Sequence, residues 1–403
     1  MRPQTDILIS GGGVAGLTAA AAFGAAGFSV LIADPAPPVT DAQAEGADLR
    51  TTAFLQPALA VLRKAGLWDR LAPHAAALQI MRIVDAGGPP DATGALKPRL
   101  IKDFDAAEIS DLPFGWNLPN WLLRREMVAR LAELPRVDFR PGAATTTLLT
   151  RDTCAIVGLS TGESIEARLV IAADGRHSTM RQALGIPVNT LRYGQKALSF
   201  AVTHPIPHAN VSTEIHRSGG PFTLVPLPDR EGRPASAVVW MERGGEIQRL
   251  AALPEADFNA AISQRSCHLF GPLTLASTRS TWPIIAQIAQ RITGQRAALM
   301  AEAAHVLPPI GAQGLNMSLA DLACLLDLAT KDPADIGSAR MLDAYARARL
   351  PDITARTRAV DALNRAAMQG APPLRDLRAW ALNGLHAITP LRKGLMRAGL
   401  GLI

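Results

Sequence analysis

Between Ile7 and Ala33 no residue is charged, yet the stretch is not uniform. Asp6-Ile-Leu-Ile-Ser10 is a short apolar run rich in β-formers, Leu17 to Ala26 is rich in alanine, and Val30-Leu-Ile-Ala33 is a second apolar run closed by Asp34. Apolar runs this short predict parallel strands buried on both faces, and the longer central part predicts a helix. The uncharged stretch is long enough to cross a bilayer. It is interrupted by Gly11, Gly12, Gly13, Gly16, Gly24 and Gly27, and apart from Arg2 it has no charged leader, so neither a membrane span nor a signal peptide is expected. The order is strand, Gly-rich turn, helix, strand, acid.

That order has a chemical reading. Gly11 permits a tight turn, Gly13 lets backbone N–H groups approach a pyrophosphate, and Gly16 lets the helix pack close to the sheet. Val14 and Ala15 then open a helix whose positive end faces the phosphates. Asp34 stands 18 positions after Gly16, near the spacing of an acid that hydrogen-bonds a ribose diol. A dinucleotide site follows, although this motif alone does not separate FAD from NAD.

Farther along, segments 196–203, 221–227 and 235–241 read as strands, and helical periodicity dominates from 315 onward. Leu377, Trp380, Ala381, Leu385 and Ile388 follow helical spacing, Pro390 interrupts, and Leu391 and Leu395 resume the stripe. The chain has 403 residues, too many for one simple core, so two or more domains are expected. Net charge is +6, and residues 331–403 hold the whole excess, with 12 Lys and Arg against 6 Asp. Beyond Asp376 there is no acid, while Arg378, Arg392, Lys393 and Arg397 remain. A basic amphipathic element of this kind fits a membrane surface, or equally a helix packed on the body of the protein or on a second subunit. Aromatic residues are only 4 %, and no recognition motif accompanies the charge, so nucleic acid is not an expected partner. Cys154, Cys267 and Cys324 are far apart and form neither a disulfide framework nor a zinc pattern, which points to a reducing compartment. No metal-ligand cluster is visible.

Two further segments choose the cofactor. One is Leu169-Val-Ile-Ala-Ala-Asp174-Gly175-Arg176-His-Ser178-Thr-Met-Arg181, a strand delivering an Asp-Gly turn. The other is Ala298-Leu-Met-Ala301-Glu302-Ala-Ala-His305-Val-Leu-Pro308-Pro309-Ile-Gly311-Ala-Gln313-Gly314-Leu-Asn316. With the first motif, and in this order, they resemble the group A flavin monooxygenases. Within that group the chain looks most like the ubiquinone-biosynthesis hydroxylases of the UbiH/UbiF type. Arg50-Thr-Thr-Ala53, Leu62 to Leu67-Trp68-Asp69, and Arg125-Glu-Met-Val-Ala-Arg-Leu131 are similar to further segments of that family. The resemblance runs from about residue 5 to about residue 365.

The resemblance implies an α/β fold of the glutathione-reductase-like, p-hydroxybenzoate-hydroxylase type. A Rossmann-like FAD-binding domain (1–75, 100–180 and 280–350) would be interleaved with an antiparallel-sheet substrate domain (76–99 and 181–279), followed by a helical C-terminal region (351–403). It also implies that Gly11, Gly13 and Gly16 hold the FAD pyrophosphate and Asp34 the adenosine ribose. Arg50 and Arg125 would lie along the cofactor. Asp174 and Gly175 would serve both FAD and the passing NAD(P)H, and Glu302 the ribityl or pyrophosphate region. Gly311 would belong to the turn, with Gly314, Leu315 and Asn316 offering backbone N–H groups to the flavin. The chemistry implied is hydroxylation of the aromatic ring of a polyprenylated phenol, using O₂ and a flavin C4a-hydroperoxide, with the Pro309 carbonyl a candidate contact for a substrate hydroxyl.

His305 would act on substrate or fix the Pro-Pro turn. Tyr193 and Tyr345 are possible proton relays without a motif, and Trp116 and Trp121 read as core or sheet face. The chain departs from the family at Ala301-Glu302, where Gly-Asp is usual, and at Asp34, where Glu is frequent. Other readings are a related flavoenzyme acting on another aromatic or prenyl substrate, and a non-catalytic FAD-binding subunit of a biosynthetic complex. The expected location is cytoplasmic, peripheral on the inner face of the cell membrane, in a ubiquinone-biosynthesis complex or as a homo-oligomer.

Overall fold

The first apolar run forms the centre of a sheet in the computed structural model, which describes residues 3–88, 92, 96–217, 219–369 and 371–402. Gln4–Ser10 lies between Val30–Asp34 and Ser164–Ala172, parallel to both, and Val137–Pro141 and Ala297–Leu299 extend the parallel set on either side. Ile7, Leu8 and Ile9 are fully buried, as a strand covered on both faces requires. Truncating any of them to Ala would cost about 2–5 kcal/mol. Thr145–Thr150, Ala155–Leu159 and Thr293–Gly294 complete eight strands with antiparallel pairings.

The helix Val14–Ala25 is buried from Ala15 through Phe23. A helix apolar on every side must be covered on every side. Its alanines let it sit between the sheet and the helices Asn120–Ala132 and Gln313–Lys331.

A second sheet of nine strands is mostly antiparallel. Its long path runs His305–Val306, Ser280–Ala289, Val188–Thr203, Arg233–Arg243, Pro221–Arg230, Val211–His216, Ile80–Asp85 and Leu100–Asp105, and Thr274–Leu275 pairs at the side. The three expected strands are present and longer than their apolar alternation indicated, because strand pairing continues through polar ends. Residues 100–105 and 280–289, expected with the nucleotide-binding segments, are strands of this second sheet. Leu100–Asp105 pairs Ile80–Asp85, and Ser280–Ala289 pairs Val188–Thr203. Cross-sheet partners decide this membership, and they are distant in sequence. Residues 89–91 and 93–95 of the expected 76–99 segment lie outside the described residues.

From Gln313 the chain is helical: Gln313–Lys331, Ala339–Met368, Pro372–Ala387 and Thr389–Leu400. Pro390 sits in the first turn of the last helix, where its missing N–H costs nothing. Among the described residues no helix is long and apolar enough to cross a membrane.

Candidate active site

The parallel strands deliver Ser10, Ala33 and Ala173 to one wall of a cavity of about 670 Å³, beside the central strand where connections diverge to both sides. Gly11 has φ +107°, and a Cβ there would lie 2.4 Å from the Ala173 carbonyl oxygen. At Gly16 a Cβ would lie 1.9 Å from the Gly11 carbonyl oxygen, so the helix touches the turn directly. Gly13 has nothing near its missing Cβ and lines the cavity with Val14 and Ala15. It caps the helix without a side chain, and the first turn carries no acid. The leading N–H groups therefore have no side-chain acceptor, which makes an anion site. Asp34 accepts from the Gly12 N–H at 2.5 Å and the Ala36 N–H at 2.9 Å, fixing its carboxylate on the same wall.

Next to this turn stands a carboxylate that the motifs did not single out. Asp48 accepts two hydrogen bonds from the Arg50 guanidinium, both 2.7 Å, with Asn120 at 3.0 Å and Arg124 at 3.3 Å. Burial pushes the Asp48 carboxyl up, but the Arg50 hydrogen bonds and charge, with Asn120 and Arg124, outweigh it and hold the group below its ordinary value. The Arg50 guanidinium also lies 5.3 Å from the Trp282 ring centroid, which joins this edge to the second sheet. Asp48 and Arg50 are two apart, and the Arg50 backbone N–H also donates to the Asp48 carboxylate at 3.2 Å; that spacing was the available signal. Arg124, not Arg125, lines the cavity. Arg125 bonds Glu126 at 2.9 Å and lies over Trp121, because consecutive helical positions point about 100° apart.

The Asp174-Gly175 turn follows its strand as expected, with Gly175 at φ +81°. One Asp174 oxygen accepts from the Met180 N–H at 3.1 Å. The other, Oδ1, is buried without a protein partner among the described residues. Such an oxygen calls for a donor from outside the chain. Buried Arg181 donates to the carbonyls of Ala303 and Arg176, tying this turn to the third motif.

At the third motif Ala301 has φ +54°, a conformation that favours glycine. Glu302 projects to the cavity mouth, 3.5 Å from Arg176. His305 is 1 % exposed in its side chain and holds Asp321 at 2.7 Å, and Asp321 in turn holds Arg349 at 2.8 Å. This pins the ring inside the protein at the root of the Pro-Pro turn. Pro309, Gly314 and Leu315 line the cavity.

The helix Gln313–Lys331 begins at Ala312, again without a side-chain cap or an acid in its first turn. Gly311 shapes the turn at φ +63° without lining the cavity. Asn316 also lies off it: its side chain accepts from the Leu55 N–H and donates to the carbonyls of Ala53 and Ala312. The cavity's far wall comes from the second sheet, with Ser199, Ala237, Val239, Trp282 and Ile284, and is mainly apolar.

Tyr345 is fully buried and donates to the Leu299 carbonyl, while Tyr193 donates to Asp361; neither lines this cavity. Trp116 packs edge-on against Trp68. Among the described residues no group of three or more His, Cys, Asp or Glu is arranged to hold a metal.

Two uncapped helix starts, the Asp34 carboxylate and an orphaned buried oxygen thus face one cavity. Residues 4–360 match the protein family described as FAD binding domain. The chain belongs to that family. This flavoprotein is 32 % identical over 400 residues to the ubiquinone hydroxylase UbiL of Rhodospirillum rubrum, covering 98 % of this chain and 89 % of the relative. It is 27 % identical over 405 residues to the 3-demethoxyubiquinol 3-hydroxylase of Escherichia coli, covering 99 % of each. Among solved structures it resembles the p-nitrophenol 4-monooxygenase PnpA of Pseudomonas putida, with a TM-score of 0.78, 20 % identity and 99 % of each chain covered. That likeness shows the fold, the p-hydroxybenzoate-hydroxylase type expected. The flavoprotein is an FAD-dependent monooxygenase.

Proposed function

We propose that this flavoprotein hydroxylates the aromatic ring of a polyprenylated phenol on the route to ubiquinone, taking electrons from NAD(P)H and one oxygen atom from O₂. The observation that carries the reading is one cavity lined by two uncapped helix starts and by an apolar part of the second sheet. The named relatives supply the substrate class: each is described as acting on ubiquinone or one of its precursors.

The residues fit FAD, which when bound supplies the electron transfer and oxygen activation that no side chain here provides. Gly11, Gly13, Val14, Ala15 and Gly16 would cradle the pyrophosphate, with Arg50 and Arg124 held beside it by Asp48. Asp34 would take the adenosine ribose, Asp174 Oδ1 a cofactor hydroxyl, and Glu302 the ribityl region. The N–H groups of Gly314 and Leu315 would meet the flavin edge that becomes negative on reduction. Asn316 would fix that helix start from behind. His305, through Asp321, would hold the turn so that the Pro309 carbonyl can accept a substrate hydroxyl. The wall of Ala237, Val239 and Ile284 would exclude water from the ring.

The decisive experiment records the protein's visible spectrum, adds NADPH without oxygen, then readmits O₂ with a prenylphenol. Bleaching, recovery and a hydroxylated product are expected. A protein that takes up no FAD would refute the reading.

A membrane surface is the partner we assign to the C-terminal helices. Leu374, Leu377, Trp380 (74 % exposed), Ile388, Leu391 and Leu395 are exposed. Arg392 is engaged with Glu108, whereas among the described residues Lys393 and Arg397 form no ion pair. The Arg378 side chain lies outside the described residues. Exposed apolar side chains among cations fit anionic lipid, and the site would then sit on the inner face of the cell membrane. Sedimentation with anionic but not neutral vesicles is expected. Failure to sediment, with a dimer in solution, would favour a second copy on that face.

A further inference from the structure

Behind the flavin-facing helix start lies a second cavity of about 300 Å³, walled by Gln313, Asn316, Arg349, Asp352, Arg356 and Leu400. Gln313 is the first residue of the helix, and its side chain has three partners. Nε2 donates to the Gly311 carbonyl at 2.9 Å and to the Gly399 carbonyl at 3.0 Å, and Oε1 accepts from Arg356 at 2.9 Å. One amide thus joins the Pro-Pro turn, the long helix Ala339–Met368 and the last helix.

Both neighbours of this amide are in need of support. Gly311 and Ala312 have φ +63° and +55°, and the second is a left-handed non-glycine costing about 1–2 kcal/mol. The helix has no side-chain cap of its own. Arg356 is itself oriented: it bonds Asp352 at 2.8 Å, Asp352 bonds Arg349 at 2.9 Å, and Arg349 bonds Asp321. Arg349, Asp352 and Arg356 stand at i, i+3 and i+7, one face of one helix. That ladder begins at His305 and ends at Gln313, so it grips the Pro-Pro turn on both sides. The last helix is seated from outside by Met396 and Leu400, buried with Leu55, Ala106 and Phe114, and by the Arg392–Glu108 pair.

We propose that Gln313 is a positioning residue for the flavin and that the helix Thr389–Leu400, through the Gly399 carbonyl, is the outer half of its clamp. The C-terminal element is then a working part of the redox site. The field of a helix start acts within its first turn, so a small tilt of Gln313-Gly314-Leu315 changes how well negative charge on the reduced flavin is stabilised. The inference rests on the cofactor reading above.

The test compares wild type with Gln313→Ala, Gln313→Glu, Arg356→Lys and Leu400→Asp. The readouts are FAD affinity of the stripped protein, flavin reduction potential and peroxide released per NADPH. Gln313→Ala is expected to weaken FAD about fivefold, the loss of roughly one net hydrogen bond, to lower the potential and to raise peroxide. Gln313→Glu keeps the Arg356 contact but loses both donors, and is expected to behave alike; it also serves if the alanine variant fails to fold. Arg356→Lys, which replaces the two-nitrogen fork to Asp352 and Gln313 by one ammonium, should shift affinity and potential in the same direction by a smaller amount. Leu400→Asp, which unseats the last helix, should reproduce the Gln313→Ala shift and add little in the double variant. Wild type that binds FAD, with folded Gln313 variants matching it in affinity and potential, overturns the inference. Wild type that takes up no FAD fails the cofactor reading itself.

Discussion

Removing the Asp321 carboxylate should be the most costly single change around the site. Asp321 is fully buried and accepts from His305 Nε2 at 2.7 Å and Arg349 Nε at 2.8 Å. Neither donor has a spare acceptor: among the described residues His305 Nδ1 and Arg349 Nη2 are already buried without partners. Asp321→Ala leaves a cation facing Asp352 alone and an imidazole N–H facing nothing. Breaking a buried pair from one side costs about 3–5 kcal/mol. For a chain of 403 residues that corresponds to a fall in Tm of about 4–6 °C. Arg349→Met should cost a similar amount. The double variant should cost less than the two together by about 2–3 kcal/mol, because the second change removes the charge that the first stranded. Calorimetry of all four proteins, without FAD, makes the measurement. Additive losses, or an Asp321→Ala loss under about 1 kcal/mol, would refute the account of the turn as held by this pair.

Gly16→Ala should weaken FAD binding at least about tenfold and destabilise the protein by about 1–3 kcal/mol, since its Cβ would meet the Gly11 carbonyl oxygen; flavin titration checks it, and normal affinity would refute the close approach. Ala301→Gly should stabilise by about 0.5–1 kcal/mol by relieving φ +54°, partly offset by a more flexible unfolded chain; a fall in Tm would count against strain there. His204 is buried between the Ile206 carbonyl and the Ser236 hydroxyl, and burial pushes its pKa below the ordinary 6.5. The unfolded chain therefore takes up a proton first, and stability should be full above about pH 6.5 and decline as pH falls below it. His204→Gln should flatten that decline, and an unchanged slope would assign it to other groups.

The Gly-rich turn was legible because Gly11 and Gly16 each answer a local steric requirement that spacing alone displays. Asp34, Asp174 and the second helix start were legible from spacing as well. Arg124 was missed because choosing between neighbouring arginines on a helix needs its rotation, which the Arg125–Trp121 contact sets. Asp48 offered only its spacing from Arg50 as a local signal, and its other partners, Asn120 and Arg124, lie 72 and 76 positions away. The strands Leu100–Asp105 and Ser280–Ala289 were assigned by cross-strand pairing, a long-range fact with no local trace. Ala301 marks the reverse case. Its departure from the usual glycine was visible in the sequence, and the backbone there is left-handed nonetheless.

The cavity wall begins at Ser10 and does not close until Ser318. A chain emerging from the ribosome therefore makes its Gly-rich turn early and lacks the helix Gln313–Lys331 until long afterwards. Cofactor capture is then a report on completed folding, and the long-range sheet pairings that precede it are slow to form. Once captured, FAD at a hundred times its Kd adds about 2.7 kcal/mol to the folded state by mass action. Cellular flavin supply thereby becomes a determinant of how much of this protein survives to act.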